Sequence, residues 1–319
     1  MKRHAMAEFD LIARIRDRAA SRADVALGIG DDAALLQPPP GLQLAVAMDT
    51  LNAGVHFPPD TAPAAIGWKA LAVNLSDLAA MGATPAWCTL SLSLPGAGDG
   101  FVDAFLDGFL DLAARHGVAL VGGDTTRGPL SVCVTAHGFV EPGSALRRDG
   151  ARAGDDVWAS GTLGDAAGAL AQWRAGGAID ADLQARLDRP TPRVELGRAL
   201  RGLATACIDI SDGLLADLGH VCEASGVGVE IDVDALPVSN ALRAGFAGAS
   251  LRELQASGGD DYELCFSAPP AARAAVAGLA TPETPLARIG RIVEGRGVRA
   301  RDASGADWAP VRAGYQHFL

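Results

Sequence analysis

Hydrophobic and polar residues alternate along this chain with two periods that take turns from one end to the other. Phe9, Leu11, Ile12 and Ile15 recur at helical spacing and predict an amphipathic helix over residues 8–19. A glycine-rich loop follows, Gly28-Ile29-Gly30-Asp31-Asp32, and Leu42–Met48 then reads as a strand that ends at Asp49-Thr50. Thr61–Met81 reads as a helix, with Thr61 placed to cap it, Pro63 in its first turn and Gly82 as its stop. Leu90-Ser91-Leu92-Ser93-Leu94 has period two and predicts a half-buried strand. A helix over Asp99–His116, a short buried strand Val118–Val121 delivering Gly122-Gly123-Asp124, and a strand over Leu130–Val140 complete the first half.

Around Pro142–Asp156 the chain turns polar and rich in Gly and Arg, which places a domain boundary there and divides it into residues 1–148 and 149–319. The second half repeats the style of the first. Strands are predicted over Val157–Ser160, Cys207–Ile210, Val227–Val233, Tyr262–Phe266, Leu286–Val293 and Gly297–Arg301. Helices are predicted over Asp165–Ala175, Val194–Leu203, Leu214–Ala224 and Pro270–Leu279. Strands and helices intermingle in both halves, so the expected class is α+β (mixed α/β): two domains, each a mixed sheet covered by helices.

Composition narrows the function. With 319 residues, 49 % hydrophobic and 20 % charged, the chain can bury two cores of ordinary size and does not suit disorder. The apolar stretch Ala62–Val73 is interrupted by Pro63, Trp68 and Lys69, and Met1-Lys2-Arg3-His4-Ala5 has no apolar export region behind it. A cytoplasmic, non-membrane protein is expected. A net charge of −11 without a basic run argues against nucleic acid as partner. Cys88, Cys133, Cys207, Cys222 and Cys265 form no Cys-x-x-Cys pair and read as buried thiols. Only Lys2 and Lys69 among 27 basic residues are lysines, and Lys69 reads as structural. A polyphosphate would therefore be met here by metal ions, arginines or backbone N–H groups.

The placement of aspartates points to such a ligand. Asp31 and Asp32 follow Gly-x-Gly, Asp49 ends a strand, and Asp77 lies in Asn74-Leu75-Ser76-Asp77. Asp124 follows Gly122-Gly123, Asp209 and Asp212 bracket Ser211, and Asp260-Asp261 follow Gly258-Gly259. A single Gly-Asp is ordinarily a cap or turn. Capping does not account for doubled aspartates, or for two acids flanking a serine. Carboxylates converging in one cleft would repel by about 1 kcal/mol per pair even when partly solvated, so the pattern calls for cations. Oxygen ligation without a His or Cys cluster calls for Mg²⁺ or Mn²⁺ rather than zinc. No Gly-x-x-x-x-Gly-Lys-[Ser/Thr], His-Arg-Asp or Asp-Phe-Gly element is present, so neither a P-loop enzyme nor a protein kinase is indicated.

These blocks resemble a family. Gly28-Ile-Gly-Asp-Asp-Ala, Asp49-Thr50, the run from Trp68 to Gly82, Gly122-Gly-Asp-Thr-Thr-Arg-Gly-Pro129, Ile208-Asp-Ile-Ser-Asp-Gly213 and Gly258-Gly-Asp-Asp-Tyr-Glu-Leu264 look like thiamine-monophosphate kinase, in order, from Glu8 to Phe318. That family sits in a wider group with aminoimidazole ribonucleotide synthetase, selenophosphate synthetase and a hydrogenase-maturation protein. The resemblance implies a two-domain aminoimidazole ribonucleotide synthetase-like fold and a homodimer whose N-terminal domains, used for ATP and Mg²⁺ binding, pair strands into a shared barrel. ATP would lie across a cleft completed by the C-terminal domain. By matching position it implies that Asp32, Asp49, Asp77, Asp124, Asp209 and Asp212 hold Mg²⁺ ions. Gly123, Asp124, Arg148 and Ser211 would contact ATP, and His56, Asp260 and Tyr315 would contact thiamine monophosphate. Asp124, Asp212 and Arg148 would carry the catalysis.

Two departures stand out. Where the family often has Ser-Thr-Asp this chain has Ala47-Met48-Asp49, so Met48 could offer a metal only its backbone carbonyl. The family's Gly-Gly-Glu-Asp-Tyr is here Gly-Gly-Asp260-Asp261-Tyr, one methylene shorter. The implied reaction is direct in-line transfer from ATP to a phosphate oxygen that needs no general base. Arg127 and Arg147 read as surface ion-pair partners that could add contacts to the phosphates. His137 reads as a satisfied histidine within a strand, and Tyr315 could stack on a thiamine ring or dock the terminus. The first cysteine at Cys88 and the ending Gly-Tyr-Gln-His-Phe-Leu disfavour a selenophosphate synthetase and the hydrogenase-maturation protein. An aminoimidazole ribonucleotide synthetase-like enzyme and a non-catalytic nucleotide-binding regulator are the alternatives.

Overall fold

The computed structural model describes residues 8–96, 100–312 and 314–316. Met1–Ala5, the expected helix start at Asp99 and the end of the resemblance at Phe318 lie outside the described residues. The chain divides into two compact units, residues 1–78 with 83–143, and 79–82 with 144–319.

The N-terminal unit runs α1 (Glu8–Arg18), β1 (Val25–Leu27), β2 (Leu35–Leu36), β3 (Gln43–Asn52), α2 (Pro63–Ala80), β4 (Thr84–Leu94), α3 (Phe101–Arg115), β5 (Ala119–Arg127) and β6 (Ser131–Val140). Its main sheet has the order β3-β6-β4-β5, antiparallel except for the parallel pair β4–β5. β4 shows why the alternating leucines form a strand: Leu90, Leu92 and Leu94 are buried and Ser91 is exposed, one residue type to each face. Val132 and Val134 of β6 are fully buried opposite Leu92 and Leu90, and Ala136 opposite Cys88, each valine contributing about 1.5–3 kcal/mol. Helices α2 and α3 touch backbone to backbone, because a Cβ on Gly67 would stand 2.0 Å from the Phe105 carbonyl oxygen and one on Gly108 1.8 Å from that of Ala64. α2 opens at Pro63, with the Ala62 carbonyl accepting from Ile66, so Thr61 stands one residue outside the cap position.

Two strands outrun their predicted ends. β3 continues through Asp49 to Asn52 and β5 through Asp124 to Arg127, because β6 and β4 supply ladder partners for those polar residues.

The C-terminal unit runs β7 (Asp156–Ser160), α4 (Asp165–Arg174), α5 (Ala181–Asp188), α6 (Val194–Ala199), β8 (Ala206–Asp209), α7 (Leu214–Ser225), β9 (Gly228–Asp232), α8 (Asn240–Gly245), α9 (Gly248–Ser257), β10 (Leu264–Ala268), α10 (Arg273–Ala277), β11 (Leu286–Val293), β12 (Gly297–Arg301) and β13 (Asp307–Trp308). The sheet order is β13-β12-β9-β11-β7-β10-β8, with one parallel pair, β9–β12. The architecture is the mixed α/β expected. Leu214, Leu218 and Val221 of α7 pack with Val157, Ile208, Val229, Ile231 and Ile289 into one core. A second, smaller core joins α4, α5 and α8 through Ala166, Ala169, Leu183, Leu187 and Leu242.

α5, α8 and α9 are not predicted by the hydrophobic pattern, although α5 carries a cap of the expected kind, the Asp180 side chain accepting from the amides of Asp182 and Leu183. The predicted strand at Tyr262 begins only at Leu264, since Tyr262 is left-handed. The predicted helix over Pro270–Leu279 is a single 3₁₀ turn, Pro270–Ala272, followed by α10. Four cysteines are buried as expected, while Cys133 is only half-buried.

Candidate active site

In the N-terminal unit the expected residues hang on β3 and α2. Asn74, fully buried on α2, accepts the Asp49 N–H through Oδ1 (3.1 Å) and donates through Nδ2 to the Ala70 carbonyl (3.1 Å). One turn further along α2, Asp77 meets the Asp49 carboxyl. Burial pushes the Asp49 carboxyl up, and its hydrogen bond with Asp77 pulls it part of the way back. A second anchor lies nearer the helix start. Lys69, only 2 % exposed, donates to the His56 carbonyl (3.1 Å), and the His56 ring accepts the Asn52 N–H at Nδ1 (2.9 Å). That bond puts the proton of the neutral ring on Nε2. Asn74 and Lys69 are thus site-building residues. Asn74 could have been found as a buried-face amide in a largely apolar helix; Lys69 has the structural role expected of it.

The sheet register separates other candidates. Asp49 lies in a row with Val134, Leu90 and Gly123, while Asp124 lies in the next row with Thr50, Cys133 and Ser91. Adjacent rows project from opposite faces, so Asp49 faces α2 and Asp124 is exposed on the other face with Ser91. Gly123 is required where it stands: at φ 150°, a Cβ would come within 1.9 Å of the Leu90 carbonyl oxygen. Asp32 is exposed in the loop between β1 and β2, where its N–H donates to Asp31 Oδ1 (2.8 Å). Met48 is exposed at the sheet edge.

In the C-terminal unit two loops lie against each other. Asp209 ends β8, and Asp217 in the first turn of α7 accepts the amides of Ser211, Asp212 and Gly213 on one oxygen (3.0, 3.2 and 3.2 Å). The Asp217 carboxyl is pushed up to about 7, first by burial and then by Asp209 and Asp212. Asp260 donates its N–H to the Ser211 carbonyl (2.9 Å), and Tyr262 donates to that of Ile210 (2.8 Å). Tyr315 donates its N–H to the Asp212 carbonyl (2.9 Å), which carries the tail onto the same loop. Asp209, Ser211, Asp212, Asp260 and Tyr315 are therefore brought together.

Arg148 is not. Its carbonyl accepts from Ser225 Oγ (2.8 Å) at the far end of α7, about 18 Å along the helix axis from the Ser211–Asp212 loop. A cleft of about 490 Å³ bordered by Asp165, Arg186, Arg189 and Asn240 contains none of the expected site residues.

Beneath the loops lies a polar base that the sequence did not single out. Glu263, fully buried, accepts from Ser160 Oγ (2.5 Å), Arg186 Nη2 (2.8 Å) and Arg193 Nε (2.6 Å). Asp261 accepts the Gly164 N–H on both oxygens (3.0 Å each) at the start of α4.

Among the described residues no group of three His, Cys, Asp or Glu side chains gathers closely enough to hold a metal by itself. Asp49 and Asp77 meet through their carboxyls, and Asp209 and Asp212 each raise the carboxyl of Asp217, so both places offer oxygen ligands only. Such sets fit Mg²⁺, which takes one or two carboxylates and fills its remaining positions with water and substrate phosphates.

Residues 30–140 match the profile of "AIR synthase related protein, N-terminal domain", and residues 152–303 match that of the C-terminal domain. The thiamine-monophosphate kinase of Escherichia coli K12 is 47 % identical over 325 residues, covering 98 % of this chain and 99 % of the relative. The chain belongs to the thiamine-monophosphate kinase family. Among solved structures, the thiamine-monophosphate kinase of Stenotrophomonas maltophilia K279a superposes with a TM-score of 0.87 at 57 % identity, over 93 % of this chain and 97 % of that one. The family member described as "AaThiL complexed with AMPPCP and TMP" superposes with a TM-score of 0.78 at 31 % identity, over 99 % of this chain and 100 % of the other. The two-domain fold expected from the family is the one found.

Proposed function

We propose that this chain transfers the γ-phosphoryl group of ATP to the phosphate of thiamine monophosphate, giving thiamine diphosphate and ADP. The observation that carries the reading is the match along 98 % of the chain to a thiamine-monophosphate kinase, together with a relative of known structure held with AMPPCP and TMP. The site chemistry supports it. The acceptor is a phosphate oxygen already ionised at neutral pH, so the protein needs to position two anionic reactants in line rather than abstract a proton.

The roles are those that the family resemblance implies. Asp49 with Asp77, and Asp209 with Asp212, would hold Mg²⁺; the resemblance adds Asp32, Asp124 and the backbone carbonyl of Met48, although Asp124 projects from the face of the sheet opposite Asp49. Bound Mg²⁺ would offset the repulsion between the two sets of phosphates. Gly123 and Ser211 would contact ATP, and His56, Asp260 and Tyr315 would contact the acceptor; the resemblance adds Arg148 to the ATP contacts, although its backbone lies at the far end of α7 from Ser211. His56 is suited to this by a ring fixed through Nδ1, and Tyr315 by its attachment beside Asp212.

The working form is a homodimer. β3 is an edge strand of the four-stranded sheet, and Leu44, Val46 and Met48 on one face of it are 47, 58 and 65 % exposed. An edge of ten residues with an apolar stripe is a surface that a second copy can cover. No helix among the described residues is long and apolar enough to cross a membrane, consistent with work in the cytoplasm. The direct test is an assay with ATP, Mg²⁺ and thiamine monophosphate. ADP and thiamine diphosphate in equal amounts are expected; nucleotide binding without ADP formation would favour a regulator.

A further inference from the structure

The loop Gly258–Glu263 contains the described chain's only two non-glycine residues at positive φ, Asp260 at 68° and Tyr262 at 50°. Asp tolerates this region better than most residues, but for a bulky aromatic it is an outlier that persists only where the surroundings impose it. The surroundings do so here. Between the two left-handed residues, Asp261 is pinned to the amide of Gly164 and its carbonyl accepts from Arg186 Nη2 (3.2 Å). On the far side Glu263 is clamped by Arg186, Arg193 and Ser160. The amides of Asp260 and Tyr262 are tied to the carbonyls of Ser211 and Ile210.

This backbone turns the buried Tyr262 back toward Asp260, so that the phenol donates to Asp260 Oδ1 (3.0 Å) two residues away. The bond fixes the rotation of a carboxyl group one methylene shorter than the glutamate usual at this place.

We propose that Tyr262 is a positioning residue for the acceptor: its hydroxyl, held by the strained loop, sets the direction in which the Asp260 carboxylate meets thiamine monophosphate. The proposal rests on the reading of Asp260 as an acceptor contact. It adds the residue that aims that contact and accounts for the left-handed tyrosine.

The test uses the full-length chain with Tyr262→Phe, which keeps the ring that packs and removes only the hydroxyl, alongside Asp260→Ala and the double variant. Acceptor affinity is read by calorimetry in the presence of a non-hydrolysable ATP analogue, and KM and kcat by turnover. Freeing the Asp260 carboxylate to rotate, so that binding must order it, gives Tyr262→Phe an acceptor Kd and KM raised about tenfold, with KM for ATP and kcat unchanged. In the Asp260→Ala background the second substitution changes nothing further.

The proposal is overturned by an unchanged acceptor Kd in Tyr262→Phe, by an equal rise in the KM of both substrates with a lowered Tm, or by a further loss in the double variant. An acceptor Kd unchanged in Asp260→Ala removes the acceptor contact itself and the proposal with it. A wild-type chain that binds both ligands without turnover defeats the kinase reading, and the calorimetric series still decides the role of Tyr262.

Discussion

In the N-terminal unit the acids are fixed by regular structure: Asp49 is a rung of β3, Asp77 a turn of α2, and Asn74 joins the two by a single amide. In the C-terminal unit Asp209 is the last rung of β8, while Asp212 and Asp260 sit on loops that have no ladder of their own. They are fixed by Asp217 gathering three amides, by loop-to-loop backbone bonds, and by the buried Glu263 with its two arginines. A helix and a strand position side chains through packing, which many residues share. A loop pinned by ionic groups depends on a few residues, so single substitutions should damage it more.

The largest effect should fall on chemistry and be alike in both units. Asp77→Asn and Asp212→Asn should each lower kcat by about a thousandfold, the scale on which charge stabilisation of a reacting centre operates, with Tm little changed. Asp124→Asn should do the same, and near-normal turnover would remove that residue from the metal site.

Stability then separates the units. Glu263→Gln leaves Arg186 and Arg193 without the carboxylate they share, and should cost about 3–5 kcal/mol in urea denaturation. Asn74→Ala removes one acceptor from the Asp49 amide and should cost about 1–3 kcal/mol. Equal losses would mean that the loops are no more dependent on single residues than the regular elements are.

The smallest effect is one of pH. With its carboxyl raised to about 7 by burial and by Asp209 and Asp212, Asp217 favours the folded state while protonated. Its contribution is complete below the ordinary carboxylate range near 4 and is lost as pH rises through 7. The Tm of metal-free protein in EDTA should therefore fall between pH 5 and 8, and Asp217→Asn should flatten that fall.

The units also differ in how far the sequence revealed them. β4, β6 and α2 were legible because leucine alternation and an apolar helix mark which faces are buried. The ends of β3 and β5 were not, since Asp49-Thr50 and Gly123-Asp124 have the look of stops and only pairing with β6 and β4 keeps them extended. The acids of the Ile208–Gly213 and Gly258–Leu264 blocks could be named from their spacing. Their supports could not: Asp217 reads as an ordinary first-turn acid of a helix, and Arg186 and Arg193 lie about 70 residues or more before the Glu263 they hold. Such long-range ion pairing leaves no periodic trace.

Divalent cations held by Asp49 with Asp77 in one unit, and by Asp209 with Asp212 in the other, are the core of the proposed function. Electron paramagnetic resonance of Mn²⁺ bound to the full-length chain with a non-hydrolysable ATP analogue tests it most directly. Protein-bound Mn²⁺ should be present in the wild type and reduced in both Asp77→Asn and Asp212→Asn. The same bound Mn²⁺ in all three proteins would contradict it.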